Sequence, residues 1–249
     1  MIPFSVHLSN YGDGTAPTEW WLYPVIRIQR LYYIKSGSGF YLGEDGRHLP
    51  FIPGKIYITP YNLHDSFQNS SDDPIDHVYF DFITTPPIIA PEPLIYDVPF
   101  ESSIQAMMTL IRYTYAEAAT VEKRHTPEMR QLMEQLLKSM LIMLSMIRLI
   151  PFSDDAAICD TLEYIRNNYA AQISVRELAA KAGFDATYFI RRFREIMGVT
   201  PYAYLRSYRL LRAGELIAGG ATIAQAAEAV GYENASSLSR ALKSIHRNP

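Results

Sequence analysis

The chain has 249 residues, of which 48% are hydrophobic, and this length and composition allow two hydrophobic cores and therefore two domains. Its formal charge of −3 is unevenly divided: the last 93 residues hold 12 Lys and Arg against 8 Asp and Glu, whereas the first 156 hold 11 against 18. Binding to phosphate is therefore expected in the mildly basic C-terminal part and not in the acidic N-terminal part.

Cysteine usage and the N-terminus exclude several other classes. Because Cys159 is the one cysteine, an intramolecular disulfide and a cysteine-based zinc cluster are excluded. The first residues lack the basic and then apolar layout of a signal peptide, and the longest apolar stretch, residues 140–147, is too short to span a bilayer. We therefore expect a soluble cytoplasmic protein with no membrane partner.

The first 99 residues have the composition of a small all-β domain. Up to about Phe82 they are rich in Tyr, Phe, Ile and Val and are interrupted by Gly and Pro, which predicts short strands joined by tight turns. The predicted strands are residues 30–35, 40–42, 55–59 and 78–82. The first two flank a Ser-Gly-Ser-Gly turn and predict a hairpin, and strands this dense favour a barrel or jelly roll. The proline-rich residues 86–99 lead the chain away from it.

Residues 100–150 have the patterns of two helices. The first is predicted within 101–119, and the second begins after Thr126, a capping residue followed by Pro127 at the first helical position. Its apolar residues recur so widely that the barrel alone would not cover them. The other side packs either on the same helix of a second copy or inside the monomer, and the sequence leaves both open. The predicted dimer residues are Met129, Leu132, Met133, Leu136 and Met140. Residues 151–156 are predicted to be a linker.

Residues 174–246 contain one pattern twice. Ser174 and Glu177 have the spacing of a capping box, in which the serine caps a helix and the glutamate reaches back to its start, and Thr222 and Gln225 repeat that spacing. Further positions match at one constant offset: Val175, Leu178, Ala179, Ala182, Gly183 and Phe184 in the first copy, and Ile223, Ala226, Ala227, Val230, Gly231 and Tyr232 in the second. A short helix, a glycine able to adopt positive φ and a second helix form a helix-turn-helix motif.

The second helix of each copy has a buried stripe and an outward face of the same chemistry. The predicted buried residues are Phe189, Phe193 and Ile196 in the first helix and Leu238, Leu242 and Ile245 in the second. Half a turn away lie a hydroxyl, an arginine and a further cation: Thr187, Arg191 and Arg194, then Ser236, Arg240 and Lys243. The planar fork of arginine suits guanine O6 and N7. A solvated face is the alternative for either helix alone, but the recurrence favours DNA binding.

Several short motifs in this part are specific. They are Ser-Val-Arg-Glu-Leu-Ala from Ser174, Tyr188-Phe189-x-Arg191-x-Phe193, Gly198-Val199-Thr200-Pro201 and Val230-Gly231-Tyr232. From about Ile158 onward the chain resembles the DNA-binding domain of the AraC/XylS family of bacterial transcription regulators. The resemblance implies two helix-turn-helix motifs joined by a long helix, predicted at 201–218 with Thr200 as its cap. Leu242 stands where the family usually has Phe, so the second recognition helix is expected to be held less firmly.

The N-terminal strands are similar to the cupin-like effector domain that commonly precedes this DNA-binding domain. The similarity rests on Gly37-x-Gly39, the run from Pro53 to Ile58, Pro60 and His64. Metal-binding cupins need a His-x-His pair, a Glu and a further His, and only His64 falls on such a position, so no metal, cofactor or catalytic residue is expected. A pocket for a sugar or sugar-like metabolite is expected instead. Its predicted residues are Arg30, Tyr32, Tyr41, His64 and Asp81, each of which could alternatively be a strand-edge or surface residue.

These interpretations predict a ligand-responsive, sequence-specific transcription regulator. Its expected parts are an all-β cupin-like barrel at 1–99, a helical dimerisation segment at 100–150, a linker at 151–156 and an all-α double helix-turn-helix domain at 157–249. The expected partners are double-stranded DNA, a small-molecule effector, RNA polymerase and a second copy of the chain. The competing class is a cupin enzyme with an accessory helical domain. The sequence lacks the metal ligands that such an enzyme requires. A structural binding module would leave the two arginine-bearing faces unexplained.

Overall fold

The computed structural model describes residues 3–16, 28–43, 45–63, 67–118, 120–124 and 126–247, without the side chains of residues 121, 122 and 245–247. The chain folds into two units, of which the first ends at Phe152 and the second begins at Ser153. Within the described ranges, no helix is long and apolar enough to cross a membrane.

The first unit is β-rich, as the sequence predicts. Its described strands are β1 Ser5–Thr15, β2 Gln29–Ser36, β3 Gly39–Leu42, β4 His48–Pro50, β5 Lys55–Thr59, β6 Phe67–Asn69, β7 Asp76–Thr85 and β8 Leu94–Asp97. They form a five-stranded sheet of order β1-β7-β2-β5-β8 and a three-stranded sheet of order β4-β3-β6, with antiparallel pairs throughout. The described strands do not close into one hydrogen-bonded barrel, so the cupin-like barrel is not confirmed.

The hairpin predicted from residues 30–42 does not form. β2 pairs with β5 and β7, and β3 pairs with β4 and β6, so the chain passes from one sheet to the other between them. Gly37 permits this crossing, because its φ is +88° and a Cβ there would lie 2.3 Å from the carbonyl oxygen of Pro74. The glycine therefore marks a change of sheet and not a two-strand turn.

β2 is buried on both faces. Leu31 packs into a core formed with the helices of the unit, whereas Tyr32 and Ile34 pack into a second core between the two sheets. Successive side chains of a strand point to opposite faces, so this one strand contributes to both cores. The unit therefore has three layers: helices, the five-stranded sheet and the three-stranded sheet.

Three helices follow the strands: α1 Ser103–Glu117, α2 Val121–Arg124 and α3 Pro127–Ile147. The sequence predicts α1 and α3 but not the single turn of α2. Thr126 Oγ1 accepts a hydrogen bond from Met129 N at 3.2 Å, which confirms the predicted cap. Residues 151 and 152 belong to this unit and not to a linker, because Phe152 forms a bridge with Ile88 and stacks on Phe4 at 4.7 Å between ring centroids.

Two of the predicted dimer residues lie inside the monomer. Met133 and Met140 are fully buried in the core that joins α3 to the five-stranded sheet, so they are corrected to core residues. Met129 and Leu136 are half-buried, and Leu132 is 44% exposed. The wide apolar face of α3 is thus used mainly within one chain, because β1 and α1 both pack against it.

Two side chains of α3 hold an irregular part of β1. The register of β1 against β7 shifts between Leu8 and Asn10, which leaves backbone groups outside the regular ladder. Glu134 Oε2 accepts a hydrogen bond from Leu8 N at 2.9 Å, and Arg130 Nη1 donates to the carbonyl oxygens of Leu8 at 3.1 Å and Ser9 at 3.0 Å. Charge-assisted hydrogen bonds therefore fix α3 to β1.

The second unit is all-α in the part that the structure describes. Its helices are α4 Ala156–Asn168, α5 Val175–Lys181, α6 Ala186–Met197, α7 Pro201–Ala218, α8 Ile223–Ala229 and α9 Ala235–Arg247. The long helix α7 has the predicted bounds, and its predicted cap is confirmed because Thr200 Oγ1 accepts from Ala203 N at 3.3 Å.

Leu137→Ala is expected to lower the free energy of unfolding of α3 by about 2–5 kcal/mol. Leu137 is fully buried, and its truncation leaves a cavity. Leu132→Ala is the matched control, since the same change at a partly exposed position is expected to cost less than about 1 kcal/mol. Hydrogen exchange of the α3 amides measures both. Equal losses of free energy in the two variants would contradict the assignment of Leu137 to the core and Leu132 to the surface. A loss at Leu132 that increased with protein concentration would favour the dimer.

Candidate DNA-binding surface and effector face

Three of the predicted effector residues share one face of the five-stranded sheet. Arg30 on β2 and Asp81 on β7 are cross-strand partners, with Arg30 Nε 3.1 Å from Asp81 Oδ1, and Tyr32 follows two residues after Arg30. Burial raises the pKa of the Asp81 carboxyl, and the Arg30 guanidinium opposes that shift. Arg30 and Asp81 therefore form a buried ion pair in which each charge compensates the other.

The two remaining predicted residues are not part of that pair. Tyr41, on β3, is buried with its ring centroid 5.7 Å from that of Phe67, and the Tyr32 ring lies 5.3 Å from the same phenylalanine. His64 lies outside the described residues. The two tyrosines thus belong to the aromatic core that joins the sheets.

His77 and Tyr79 lie on the same face as Tyr32 and are not among the effector residues predicted from the sequence. The His77 ring centroid is 5.5 Å from Tyr32 and 5.4 Å from Tyr79. Burial lowers the pKa of His77 to about 4 and raises the pKa of Tyr79 to about 12, so both are neutral near pH 7. The signal that would have found them is the two-residue alternation of β7, which places Asp81 on this face as well.

The first helix-turn-helix motif consists of α5 and α6. Ser174 Oγ accepts from Glu177 N at 3.1 Å, and the turn passes through Gly183 at φ +74°, so the predicted cap and glycine are confirmed. The predicted return contact of Glu177 does not form, because its Oε1 accepts a hydrogen bond from the Tyr164 hydroxyl at 2.6 Å. Glu177 therefore links α5 to α4 and does not close a capping box.

Helix α6 buries one side and exposes the other. Its fully buried residues are Phe189, Phe193 and Met197. Ile196, predicted to be the third of these, is half-buried, because the stripe continues at i+8 and not at i+7. The residues predicted to face DNA are all exposed: Thr187, Arg191 and Arg194. Their role in DNA binding stays a prediction.

The guanidinium of Arg191 is oriented by neighbours on its own helix. Its Cζ lies 5.4 Å from the ring centroid of Tyr188, whose ring is in turn 4.9 Å from that of Phe184. Its Nε is 3.8 Å from Glu195 Oε1. Both contacts are at the surface and weak, so a stronger acceptor such as a base edge or a phosphate can displace them.

The second helix-turn-helix motif, α8 and α9, has the complete capping box. Thr222 Oγ1 accepts from Gln225 N at 3.2 Å, and Gln225 Oε1 accepts from Thr222 N at 2.9 Å, as the sequence predicts. Asn234 caps α9 by accepting from Ser237 N at 2.9 Å. The residues predicted to face DNA are again exposed: Ser236, Arg240 and Lys243.

Helix α9 is anchored by smaller side chains than α6. Leu238 and Ala241 are buried, and Leu242 is half-buried, whereas the side chain of Ile245 lies outside the described residues. A polar contact from α7 adds to this packing, because an Arg206 nitrogen, Nη2, donates to Ser244 Oγ at 3.1 Å.

The turn after α4, residues 169–171, contacts both the long helix α7 and the second motif, and we call these contacts the 169–171 clamp. Arg209 of α7 donates from Nε to the carbonyl oxygen of Tyr169 and from Nη2 to that of Ala171, both at 2.7 Å. Gly231, at φ +78°, packs its backbone so closely on this turn that a Cβ there would lie 2.3 Å from the Ala170 oxygen. The turn is therefore held by the long helix and by the second motif together.

Comparison with known proteins identifies the fold of this second unit. Residues 170–249 match the family model of a helix-turn-helix domain. A Streptomyces antibioticus protein described as an AraC-like transcription regulator is 33% identical over 92 residues, which cover 36% of this chain and 30% of that protein. The C-terminal unit is therefore similar to the helix-turn-helix domain of AraC-like regulators.

This AraC-type domain also matches the transposon Tn10 TetD protein of Escherichia coli, at 33% identity over 89 residues, which cover 35% of this chain and 64% of TetD. The chain thus spans about a third and just under two thirds of these two relatives. The resemblance to AraC-like regulators that the sequence motifs indicate is confirmed for this region.

Solved structures of ToxT from Vibrio cholerae are similar over nearly the whole chain. An apo ToxT variant has a TM-score of 0.61 at 13% identity and covers 99% of this chain and 95% of its own. Wild-type ToxT with an unsaturated fatty acid bound has a TM-score of 0.56 at 12% identity, over 98% and 91% of the two chains. At these identities the likeness shows the fold alone: a β-rich N-terminal unit followed by the AraC-type domain.

Gly231→Ala is expected to destabilise the AraC-type domain more than Gly183→Ala does. Both glycines have positive φ, for which a Cβ costs about 1–2 kcal/mol, but only Gly231 would also displace the Ala170 backbone. Gly214→Ala, in open space within α7, is the matched control and should stabilise by up to about 1 kcal/mol. Hydrogen exchange of the α7 and α8 amides ranks the three variants. Equal costs for Gly231 and Gly183 would contradict the packing of the 169–171 clamp.

Proposed function

We propose that the chain is a sequence-specific DNA-binding transcription regulator that reads double-stranded DNA with α6 and α9. The observation that carries the proposal is the recurrence of one exposed set, a hydroxyl, an arginine and a second cation, on the outward face of both helices. Burial accounts for the opposite faces of these helices, but it does not account for this repeated polar set. A helix of these dimensions fits the major groove, where base edges are distinguishable.

The chemistry of the two faces suits DNA. Arg191 and Arg240 can each donate two hydrogen bonds to guanine O6 and N7, while Thr187 and Ser236 can reach base edges or phosphate oxygens. Two recognition helices bound to one face of a duplex read half-sites about 34 Å apart, one helical turn. The contacts of the 169–171 clamp support such a fixed spacing.

We further propose that the N-terminal unit binds a small-molecule effector beside the face that carries Arg30, Tyr32 and Asp81. A sugar, the class predicted from the sequence, has little support there, because Arg30 and Asp81 already compensate each other and the tyrosines pack among aromatic rings. ToxT has been solved with an unsaturated fatty acid bound, and this supports an apolar carboxylic acid as the alternative class. A cupin-like barrel closed around such a ligand stays part of the proposal.

The remaining partners are also proposals. A homodimer through α3 would use the exposed Leu132 with the half-buried Met129 and Leu136 around it. RNA polymerase is the expected partner of a regulator bound next to a promoter. We expect a cytoplasmic location and no enzymatic activity, in keeping with the AraC-like relative.

The full chain is expected to bind duplex DNA with an affinity that falls steeply between about 50 and 200 mM salt, because phosphate contacts release counterions. Fluorescence anisotropy with a labelled duplex measures the slope. Arg47→Ala is the control, since Arg47 is an exposed arginine of the first unit and its loss should leave the slope unchanged. Absence of binding at low salt, with the protein folded, would remove the proposal.

Arg191→Ala is expected to weaken binding to a selected duplex more than Arg240→Ala does. Each variant loses a contact whose removal typically costs about 1–3 kcal/mol, but α6 is anchored by three large buried side chains and α9 by a leucine and an alanine. A helix that is less firmly held loses more conformational entropy when it binds, and this cost offsets part of the energy of its contacts. Both variants are titrated at one salt concentration. A larger loss from Arg240→Ala would show that α9 is the main reading helix.

A further inference from the structure

One apolar side chain lies beside the polar outward residues of α6. Ile190 is 38% exposed, and it stands three residues after Thr187 and four before Arg194, so the three side chains are neighbours along the helix. The core side of α6 is already filled by other residues, which are Phe189, Phe193 and Met197. Ile190 therefore presents hydrocarbon to whatever α6 binds.

The second recognition helix carries a different kind of side chain at the equivalent position. The register that matches Thr187 to Ser236 and Arg191 to Arg240 places Ser239 opposite Ile190, and Ser239 is half-buried. The two outward faces thus agree in their hydroxyl and cations but differ between a branched hydrocarbon and a small hydroxyl. Two helices that share their polar groups can still prefer different bases through this position.

We infer that Ile190 reads a thymine through its C5 methyl group, an inference that rests on the proposed DNA binding. The thymine methyl is the apolar feature that base pairs present in the major groove. Covering it with Ile190 removes apolar surface from water on both partners, whereas packing Ile190 on the polar edge of another base would leave donors or acceptors without a partner. The half-site bound by α6 therefore requires a thymine at the position that Ile190 contacts. The half-site bound by α9, where Ser239 takes this place, does not require one.

The test removes the methyl group from the DNA and the side chain from the protein. The full chain selects duplexes from a randomised library, and each thymine of a selected duplex is then replaced in turn by deoxyuridine, which lacks the C5 methyl. For the unmodified protein, deoxyuridine at one position of the half-site bound by α6 is expected to weaken binding about three- to fivefold, the effect of roughly one buried methyl group. For Ile190→Ser, which copies the second helix, the same replacement is expected to have no effect.

Ile52→Ser is the matched control, because Ile52 is another exposed isoleucine, at 46%, in the first unit. Its scan should keep the thymine sensitivity of the unmodified protein. A scan without any sensitive thymine, or a sensitivity that Ile190→Ser leaves unchanged, overturns this inference while the DNA-binding proposal stands. Failure to select any duplex removes the DNA-binding proposal, and this inference falls with it.

Discussion

The pair of hydrogen bonds from Arg209 to the turn after α4 is the contact on which the DNA-binding unit depends. The last carbonyls of a helix have no partner within it, and Arg209 supplies charged donors to two carbonyls of this turn. Burial lowers the pKa of Arg209, and the two short contacts compensate that desolvation. Gly231 closes the other side of the turn. The turn that leads into the first motif is therefore held to α7 and to the second motif by these contacts.

The two helix-turn-helix motifs share a sequence pattern but are held by contacts with different helices. The first is tied to α4, because Glu177 binds Tyr164 and because Arg192 donates to Asp155 at 3.0 Å from Nε and 2.9 Å from Nη2. Asp155 also caps α4 by accepting from Ile158 N at 3.0 Å. The second is tied to α7 through Arg206. A duplicated pattern has thus acquired two different supports, which allows the two motifs to diverge in how firmly they hold their helices.

Features decided by neighbouring residues were predictable, and features decided by distant ones were not. The bounds of α7 followed from Thr200, Pro201 and the apolar spacing, and the exposure of the residues predicted to face DNA followed from helical rotation. The hairpin at 30–42 was wrong, because the partners of β2 lie far along the chain. Glu177 could not be assigned correctly, since its acceptor role depends on Tyr164 of another helix.

Burial and the pairing of the effector-face residues were likewise decided by residues distant in the chain. An apolar helix face indicates that something covers it but not what does, and so Met133 and Met140 were assigned to a partner when the chain itself covers them. Arg30 and Asp81 were found as polar residues on strands, but their pairing depends on the register of β2 against β7. His64 was chosen by its place in a motif, and the described residues do not test that choice.

The attachment of α3 to β1 also governs how this molecule can associate with others. β1 is the outermost described strand of its sheet, and an outer strand with free backbone groups can recruit a strand from a neighbouring molecule and begin a fibre. Glu134 occupies the amide of Leu8, and Arg130 occupies the carbonyls of Leu8 and Ser9. The irregular step in β1 interrupts the edge at the same point. The contacts that fix α3 to β1 therefore also block this part of the β1 edge from pairing with a strand of another molecule.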